Sequence, residues 1–235
     1  MDKELTRRLS ALRADIQTAC KEGGWQDVPR IVAVTKTLPP QAVNPLAALG
    51  VLDVGENRVQ EILEKRPLLD PKFRVHLIGR LQTNKVKYIM NQVCMIHSLD
   101  RMELAAEISK RARQAGLQMD VLVQVNIAGE AQKAGVAPGE AEAFLRACAP
   151  LPGLRLRGLM AMMPLSKEAE TLRPLFRDMR RLFDSLARGN IPGVRMEELS
   201  MGMSQDYRIA AQEGATMVRV GSALFGARDH AGATS

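Results

Sequence analysis

The sequence IVAVTKTLPP, from Ile31 to Pro40, places one lysine at the end of what otherwise resembles a buried strand. Its first four residues are β-branched or small and apolar, and prolines bound the run on both sides, which is typical of a short strand covered on both faces. Lys36 therefore falls at the carboxyl end of the strand. Burying an unpaired ammonium group is costly or forces it to lose its proton, so a half-buried lysine here indicates a chemical use.

Similar short apolar runs recur along the chain, and stretches with the spacing of amphipathic helices separate them. Strands are predicted at residues 30–35, 51–54, 74–78, 95–97, 120–126, 155–160, 197–200 and 216–220. Helices are predicted between them at residues 41–49, 58–65, 83–90, 102–114, 138–148, 168–187 and 205–212. Strands that alternate with helices form parallel βαβ units with right-handed crossovers, so the sequence predicts an α/β protein.

Eight such units in a chain of this length favour a single (β/α)8 TIM barrel domain that covers residues 1–235. An extra amphipathic helix before the first strand is predicted from the spacing of Leu5, Leu9, Leu12 and Ile16. An open doubly wound sheet is the structural alternative, because a boundary error of a few residues creates or removes a strand. A barrel would place the chemistry at the carboxyl ends of its strands, where Lys36 lies.

Composition excludes several classes of protein. No apolar run approaches the roughly 18 residues of a membrane span, and the N-terminus mixes acidic with basic residues, so we predict a cytoplasmic protein without membrane contact. Three cysteines without close spacing indicate neither disulfides nor a metal site. The net charge is +7, but acids intersperse the basic residues at helical spacing and only 3% of residues are aromatic, so no nucleic acid partner is predicted.

Two small, hydroxyl-bearing turns follow the last two predicted strands. Residues 200–204, SMGMS, lead into one helix, and Gly221 and Ser222 lead into a final helical turn. Backbone N–H groups, hydroxyls and the positive end of a helix dipole bind phosphate, and barrels frequently build phosphate sites after strands seven and eight. Taken singly, each turn is more typical of an ordinary serine cap or glycine turn. The pair in these two units favours a phosphate site.

Closure of the barrel would pair the eighth strand with the first and bring Lys36 beside Gly221 and Ser222. A ligand with a phosphate at one end and an aldehyde at the other would be held by the turns and captured by the lysine as a Schiff base. Desolvation of the lysine would favour the neutral amine that attacks a carbonyl.

The eighth strand carries an arginine that is expected to enter the barrel. The side chain of Arg219 points opposite to those of Val218 and Val220, and the valines would pack toward the outer helices. A buried guanidinium needs an acceptor. One alternative is a pyridine nitrogen, which would stay unprotonated there. The other is a barrel carboxylate from Glu56 or Asp53.

Several long, ordered motifs identify a family that the chain resembles. They are AVTKT around Lys36, GENRVQE from Gly55, HLIGRLQTNK from His76, IHSLDR from Ile96, VNIAGEAQKAGV from Val125, GLMAMMP from Gly158, and LSMGMSQDY with GATMVRVGSALFGAR from Leu199 onward. Together they resemble the pyridoxal-phosphate homeostasis protein family, over nearly the whole chain after the first helix. The resemblance extends to the N-terminal barrel domain of alanine racemases.

The resemblance implies that the barrel binds pyridoxal 5′-phosphate (PLP) covalently. The residues that it assigns to the cofactor are Lys36, Asn57, His76, Ser200, Ser204, Arg219, Gly221 and Ser222. Lys36 would form the Schiff base, Arg219 would face the pyridine nitrogen, and the serines and Gly221 would cradle the phosphate. Asn57 and His76 would lie beside the ring, and their alternatives are a helix N-cap and a satisfied core histidine.

Two positions depart from the family pattern. Arg80 stands where the family commonly has proline, which adds a basic side chain near the expected mouth of the barrel. Ser222 stands where the family often has threonine, and either hydroxyl can donate to phosphate. The loop GEAQKAG, residues 129–135, is expected to be mobile and to cover the cofactor.

The function that the resemblance implies is intracellular PLP (vitamin B6) homeostasis and amino-acid and keto-acid balance, without dedicated catalysis. The racemases carry a second domain that supplies a catalytic tyrosine, whereas Tyr88 and Tyr207 do not match that domain. We therefore expect a monomer that contacts PLP-dependent apo-enzymes transiently. The alternatives are a PLP-dependent racemase or lyase of narrow specificity, with Lys36 as base, and a barrel aldolase that uses Lys36 on a sugar phosphate.

Overall fold

Eight parallel strands form a closed barrel in which each strand pairs with the next and β8 pairs with β1. The computed structural model describes residues 3–130 and 132–226. The strands are β1 Arg30–Val34, β2 Asp53–Glu56, β3 Arg74–Leu77, β4 Met95–Leu99, β5 Met119–Val125, β6 Leu154–Ala161, β7 Val194–Met203 and β8 Met217–Val220. Closure confirms the predicted barrel and excludes the open doubly wound sheet. The rest of the predicted 1–235 domain lies outside the described residues.

Helices connect the strands and cover the outside of the barrel. The α-helices are α1 Lys3–Glu22, α2 Pro40–Val43, α3 Pro45–Ala48, α4 Val59–Lys65, α5 Met102–Gln114, α6 Ala141–Cys148, α7 Arg173–Arg188, α8 Tyr207–Gln212 and α9 Ser222–Phe225. Short 3-10 helices span Arg66–Leu68, Thr83–Tyr88, Pro138–Glu140 and Ala169–Leu172. Since every crossover returns the chain to the same end of the barrel, all strand carboxyl ends open on one face.

The predicted extra helix is α1, and it packs against α8 and α9 next to the barrel. The predicted apolar residues Leu5, Leu9, Leu12 and Ile16 are all buried. Tyr207 donates a hydrogen bond from Oη to Asp15 Oδ2 at 2.7 Å. The first helix therefore supports the chain segment between β7 and β8.

Several predicted elements differ from the structure; the second strand, predicted at residues 51–54, runs from Asp53 to Glu56. The helix predicted over residues 41–49 is broken into α2 and α3, because Pro45 cannot continue a hydrogen-bonded helix. The helix predicted over residues 83–90 is a 3-10 helix. The seventh strand, predicted at residues 197–200, runs from Val194 through Met203. That longer strand changes the position of Ser200, as described below.

Two apolar layers lie on either side of the barrel wall. The larger layer packs the outward-facing side chains of the strands, Val218 and Val220 among them, against the helices. The smaller layer lies apart from it and consists of Val32, Val34, Ile78, Met95, Leu122, Met160 and Met217. Buried polar side chains of the strands, including His76, His97 and Arg219, are not part of either apolar layer.

Gly158 allows β6 and β7 to approach closely at an irregular part of their pairing. Its φ is 144°, and a Cβ atom there would lie 1.9 Å from the carbonyl oxygen of Glu198. We expect Gly158→Ala to lower the free energy of unfolding by about 2 kcal/mol or more, since strain and a backbone clash add together. Urea denaturation measures this loss.

Gly116→Ala and Gly139→Ala are the matched controls, because a Cβ atom at either position meets nothing within 4 Å. Gly116 has a φ of +64°, so its loss of about 1 kcal/mol reports backbone strain alone. Gly139→Ala is expected to change stability by less than about 1 kcal/mol. If Gly158→Ala and Gly116→Ala lowered the free energy of unfolding equally, the predicted backbone clash at Gly158 would be contradicted.

Candidate functional site

A cavity of about 580 Å³ opens at the carboxyl ends of the strands. It lies where the barrel architecture collects functional residues. Its lining residues are Val34, Lys36, Asn57, Ile78, Gly79, Arg80, Gln124, Val125, Asn126, Gln132, Lys133, Ala134, Met162, Met203 and Arg219. The structure thus brings together Lys36, Asn57 and Arg219, three of the residues predicted from the sequence.

The charge of this cavity is one-sided. Lys36, Arg80, Lys133 and Arg219 line it, and no carboxylate is among its described lining residues. Lys133 donates to Glu130 at 2.8 Å, in an exposed pair beside the cavity. The remaining cations have no such partner among the lining residues, so the cavity favours an anionic ligand.

Lys36 is exposed, and the expectation of a half-buried lysine is wrong. The first strand ends at Val34, and the chain turns at Thr37, which has a φ of 63°. The lysine therefore lies beyond the strand, on the face that opens to the cavity. Its amine is accessible to a ligand, and the protein alone does not desolvate it.

A buried cluster fixes the backbone on both sides of Lys36. Lys65 donates to the carbonyl oxygen of Thr35 at 2.8 Å, and to Glu56 Oε1 and Glu61 Oε2 at 2.9 Å each. Glu61 Oε2 in turn accepts the backbone N–H of Thr37 at 2.7 Å. We call Thr35, Glu56, Glu61 and Lys65 the Lys65 cluster. The Lys65 cluster holds the backbone of the residues before and after Lys36, whose own side chain is exposed.

Glu56 is the most buried acid of the Lys65 cluster. Burial raises the pKa of its carboxyl group, while hydrogen bonds from Thr35 and Lys65 act in the opposite direction. Its Oε2 atom is buried and has no hydrogen-bond partner among the described residues. Removing Lys65 would therefore leave a buried acid without its cation.

Arg219 enters the barrel as predicted, and its side chain is buried. Nη1 donates to Ser200 Oγ at 2.6 Å and Nη2 donates to the carbonyl oxygen of Ala161 at 2.8 Å. Neither Glu56 nor Asp53 pairs with it, so the carboxylate alternative is not realised among the described residues. Burial lowers the pKa of Arg219 to about 10, and the charge of Asp206 opposes this shift.

The predicted phosphate turns are only partly as expected. Ser200 lies within β7 rather than in the turn, because the strand continues to Met203, and its buried hydroxyl contacts Arg219. Ser204 is in the turn, where its Oγ accepts the backbone N–H groups of Gly221 at 3.0 Å and Ala223 at 3.2 Å. The exposed Ser222 begins α9. The turns after β7 and β8 therefore meet at Ser204.

Asn57 and His76 have different positions. Asn57 follows β2 and lines the cavity, and Arg58 rather than Asn57 occupies the N-cap of α4. His76 is buried in β3 and does not line the cavity. Its Nε2 lies 2.9 Å from Asp53 Oδ1 and its Nδ1 lies 2.9 Å from His97 Nε2. The contacts of His76 are those of a satisfied core histidine.

The loop after β5 borders the cavity. Gln124 Nε2 donates to the carbonyl oxygen of Ala134 at 2.9 Å, and Asn126 Nδ2 donates to that of Glu130 at 2.8 Å. Val125 and Val136 form a parallel bridge. These bonds tie both ends of the loop to β5, and Ala131 lies outside the described residues. The described residues of this loop that line the cavity are Gln132, Lys133 and Ala134. The mobility of the loop and its cover of the cofactor stay predictions.

Sequence reasoning missed the Lys65 cluster and His97. The signal for the cluster was the spacing of Glu61 and Lys65, four residues apart on α4, together with Glu56 at the end of a buried strand. The signal for His97 was a histidine inside a predicted buried strand. Each is a polar side chain at a buried position, which requires a partner.

Comparison with known proteins agrees with this architecture. Residues 8–229 match the family model for the N-terminal domain of alanine racemase. The alanine racemase of Clostridium difficile has the same fold, with a TM-score of 0.72 and 16% identity over 98% of this chain and 58% of that chain. The fold and the cavity thus define a barrel of the alanine racemase N-terminal class.

The particular family follows from more similar relatives. The pyridoxal phosphate homeostasis protein of Aquifex aeolicus is 44% identical over 95% of this chain and 98% of its own length. That of Pseudomonas aeruginosa is 40% identical over 96% of each chain. The solved structure of PipY from Synechococcus elongatus with PLP bound has a TM-score of 0.82 and 33% identity, covering 94% of this chain and 100% of that one. The chain belongs to the pyridoxal phosphate homeostasis protein family.

The described residues contain neither a membrane-spanning helix nor a metal-binding group. Over residues 3–130 and 132–226, no helix is long and apolar enough to cross a membrane. Within the same ranges, no group of three or more His, Cys, Asp or Glu side chains is placed to hold a metal ion.

We expect Lys65→Met to lower the free energy of unfolding by about 3–5 kcal/mol, because the substitution leaves Glu56 buried without its cation. Urea denaturation at neutral pH measures the loss. The double variant Lys65→Met/Glu56→Gln should recover part of it, since the fully buried carboxylate is then neutral and only the partly exposed Glu61 stays charged.

Arg146→Met is the matched control, because it removes an exposed ion pair with Glu142 at the same four-residue spacing. We expect that control to cost less than about 1 kcal/mol. A Lys65→Met variant as stable as the control would show that the Lys65 cluster does not contribute this free energy of unfolding.

Proposed function

We propose that this protein binds PLP covalently through Lys36, as a Schiff base, and acts in intracellular PLP homeostasis and amino-acid and keto-acid balance without dedicated catalysis. The observation that carries the proposal is that the exposed Lys36 and the buried Arg219 line one cavity, with no carboxylate among its described lining residues. PLP offers an aldehyde for the amine, a ring nitrogen for the guanidinium and a phosphate for the turn at Ser204, which follows the lining residue Met203.

The proposed site divides among three groups of residues. Lys36 holds the aldehyde carbon, and Arg219 donates to the ring nitrogen and keeps it unprotonated. Ser204, Gly221 and Ser222 bind the phosphate, because the backbone N–H groups of Gly221 and Ala223, which Ser204 Oγ now accepts, point into this turn. Asn57 borders the ring from the end of β2. Ser200 and His76 act on the cofactor through Arg219 rather than by touching it.

The absence of dedicated turnover is proposed from the acid and base groups of the cavity. A two-base racemisation needs a proton donor or acceptor on each face of the substrate carbanion. No histidine, tyrosine, cysteine or carboxylate is among the described lining residues, and Lys133 is paired with Glu130. Hydrogen bonding to Asp15 and burial raise the pKa of Tyr207 to about 12, with burial the larger cause. Neither Tyr88 nor Tyr207 lines the cavity.

The cellular part of the proposal is a cytoplasmic monomer that contacts PLP-dependent apo-enzymes transiently. An exposed lysine supports it, because a covalently held aldehyde at an open site remains accessible to water and to other amines. A racemase or lyase of narrow specificity is the competing function. Racemisation of an amino acid by the purified protein at about 1 per second or faster would establish that alternative.

The first test is the visible absorbance of the purified protein after incubation with PLP. We expect a Schiff-base band that disappears on borohydride reduction, with the pyridoxyl group on the peptide that contains Lys36. Lys36→Ala should lose the band, because the variant has no amine at that position. Lys133→Ala and Lys85→Ala, which alter other lysines near the mouth, should keep it. A Schiff-base band that persists in Lys36→Ala would show that PLP is attached to another lysine.

The second test concerns the phosphate turn. We expect Ser204→Ala to weaken PLP binding by about tenfold, because the variant lacks a hydroxyl that can donate to the phosphate and that organises the turn. Binding of pyridoxal, which has no phosphate, should change by less than about twofold. Ser10→Ala, at an exposed position on α1, is the control. Equal losses for PLP and pyridoxal would place the phosphate elsewhere.

A further inference from the structure

A continuous line of buried polar side chains crosses the inside of the barrel. Arg219 Nη1 lies 2.6 Å from Ser200 Oγ, and Ser200 Oγ lies 3.1 Å from His97 Nδ1. His97 Nε2 lies 2.9 Å from His76 Nδ1, and His76 Nε2 lies 2.9 Å from Asp53 Oδ1. We call these five residues the histidine chain. It links β8, β7, β4, β3 and β2 and leads from the cavity to the opposite end of the barrel.

The far end of the histidine chain is anchored by an ion pair. Asp53 is the first residue of β2, and Arg74 is its neighbour on β3. Arg74 donates from Nε to Asp53 Oδ1 at 2.8 Å and from Nη2 to Oδ2 at 2.5 Å. Hydrogen bonds from His76 and Arg74 hold the pKa of Asp53 at about 2 despite its burial. Asp53 is therefore ionised and can only accept hydrogen bonds.

The ionised carboxylate of Asp53 sets the direction of the hydrogen bonds along the histidine chain when both histidine rings are neutral. Ionised Asp53 can only accept, so a neutral His76 donates to it from Nε2 and accepts at Nδ1 from His97 Nε2. His97 Nδ1 then accepts the hydroxyl proton of Ser200, whose oxygen accepts from Arg219. Burial holds the pKa of His97 well below its usual value, and the charges of Arg219 and Arg30 act in the same direction. Both histidines therefore carry their proton on Nε2.

This arrangement matters for Arg219 because no carboxylate contacts it among the described residues. A one-directional series of hydrogen bonds polarises each member, so the Ser200 oxygen presents a strengthened negative charge to the guanidinium. The carboxylate of Asp53 supplies that polarisation from the other end. With one N–H on Ser200 and one on Ala161, the guanidinium is fixed in place and its other N–H groups remain for a ligand in the cavity.

We propose that Asp53, His76 and His97 are positioning residues that act through Ser200 to fix Arg219 against the ring nitrogen of the cofactor. The proposal rests on the proposed function. It assigns these residues to discrimination of the ring nitrogen, whereas a purely structural role would affect every ligand of the cavity equally. None of the three touches the cofactor.

The first experiment uses the wild-type protein without ligand. Nitrogen-15 NMR of the histidine side chains should show His76 and His97 as neutral rings protonated on Nε2 at neutral pH. Protonation on Nδ1 in His97 would reverse the direction of the series and overturn the proposal. This measurement requires neither a variant nor PLP, so it remains decisive if a variant fails to fold.

The second experiment compares PLP with 1-deaza-PLP, whose ring nitrogen is replaced by carbon. Wild-type protein should bind PLP about tenfold more tightly than the deaza analogue, because the analogue cannot accept from Arg219. Asp53→Asn keeps the shape and one acceptor but removes the charge, and it should reduce this preference toward unity. Ser200→Ala should do the same, since it interrupts the histidine chain beside Arg219.

Asp120→Asn is the matched control, because Asp120 on β5 pairs with Arg155 on the neighbouring β6 in the same way and lies outside the histidine chain. It should keep the wild-type preference. Variants that weaken the binding of both ligands equally would overturn the inference, while binding of PLP to the wild-type protein would still support the proposed function. A wild-type protein that binds neither ligand would instead overturn the proposed function, and the inference with it.

Discussion

The pairing of β8 with β1 is the constraint on which the rest of the molecule depends. Parallel strands pair Val32 with Arg219 and Ala33 with Val220 and so close the barrel. Closure removes both sheet edges and brings residues from the two ends of the sequence to one cavity. Lys36 lies just beyond one of these strands and Arg219 lies within the other. A change of that register would move apart two side chains that line the same cavity.

Closure also creates the interior in which charge has to be compensated. Arg219 enters this space because alternate residues of β8 face opposite sides of the wall. A carboxylate in contact with it would neutralise the positive cavity and compete with a ligand. The histidine chain places the negative charge of Asp53 several hydrogen bonds away from Arg219. The guanidinium is therefore held in place while its other N–H groups stay available to a ligand. The same strand geometry thus reconciles burial of a cation with its availability to a ligand.

The sequence determines the barrel and the orientation of Arg219 because both depend on local periodicity, which an individual chain displays directly. It does not reveal the exposure of Lys36, since that depends on β1 ending at Val34 and on the positive φ of Thr37. It also places Ser200 wrongly, because β7 continues through Gly202, whose φ of +90° lets the strand pass close to α8. These features depend on contacts between distant segments, which periodicity does not encode.

Lys65 is a second lysine whose exposure cannot be predicted from the sequence. On α4 its four-residue spacing from Glu61 resembles an ordinary surface pair. Its burial arises only when α4 packs against the end of β2 and brings Glu56 beneath it.

The contrast between Lys65 and Lys36 accounts for the character of the site. Lys65 is buried, and its hydrogen bonds hold the backbone of Thr35 directly and the backbone of Thr37 through Glu61. These hydrogen bonds fix the backbone on both sides of Lys36, while the Lys36 side chain stays exposed. A rigid backbone favours capture of an aldehyde, because little conformational freedom is lost on attachment. An exposed amine leaves the bond open to water and to competing amines, so the same geometry also favours release. The proposed reversible holding of PLP therefore fits an open site, whereas rapid catalysis favours an enclosed site that excludes water.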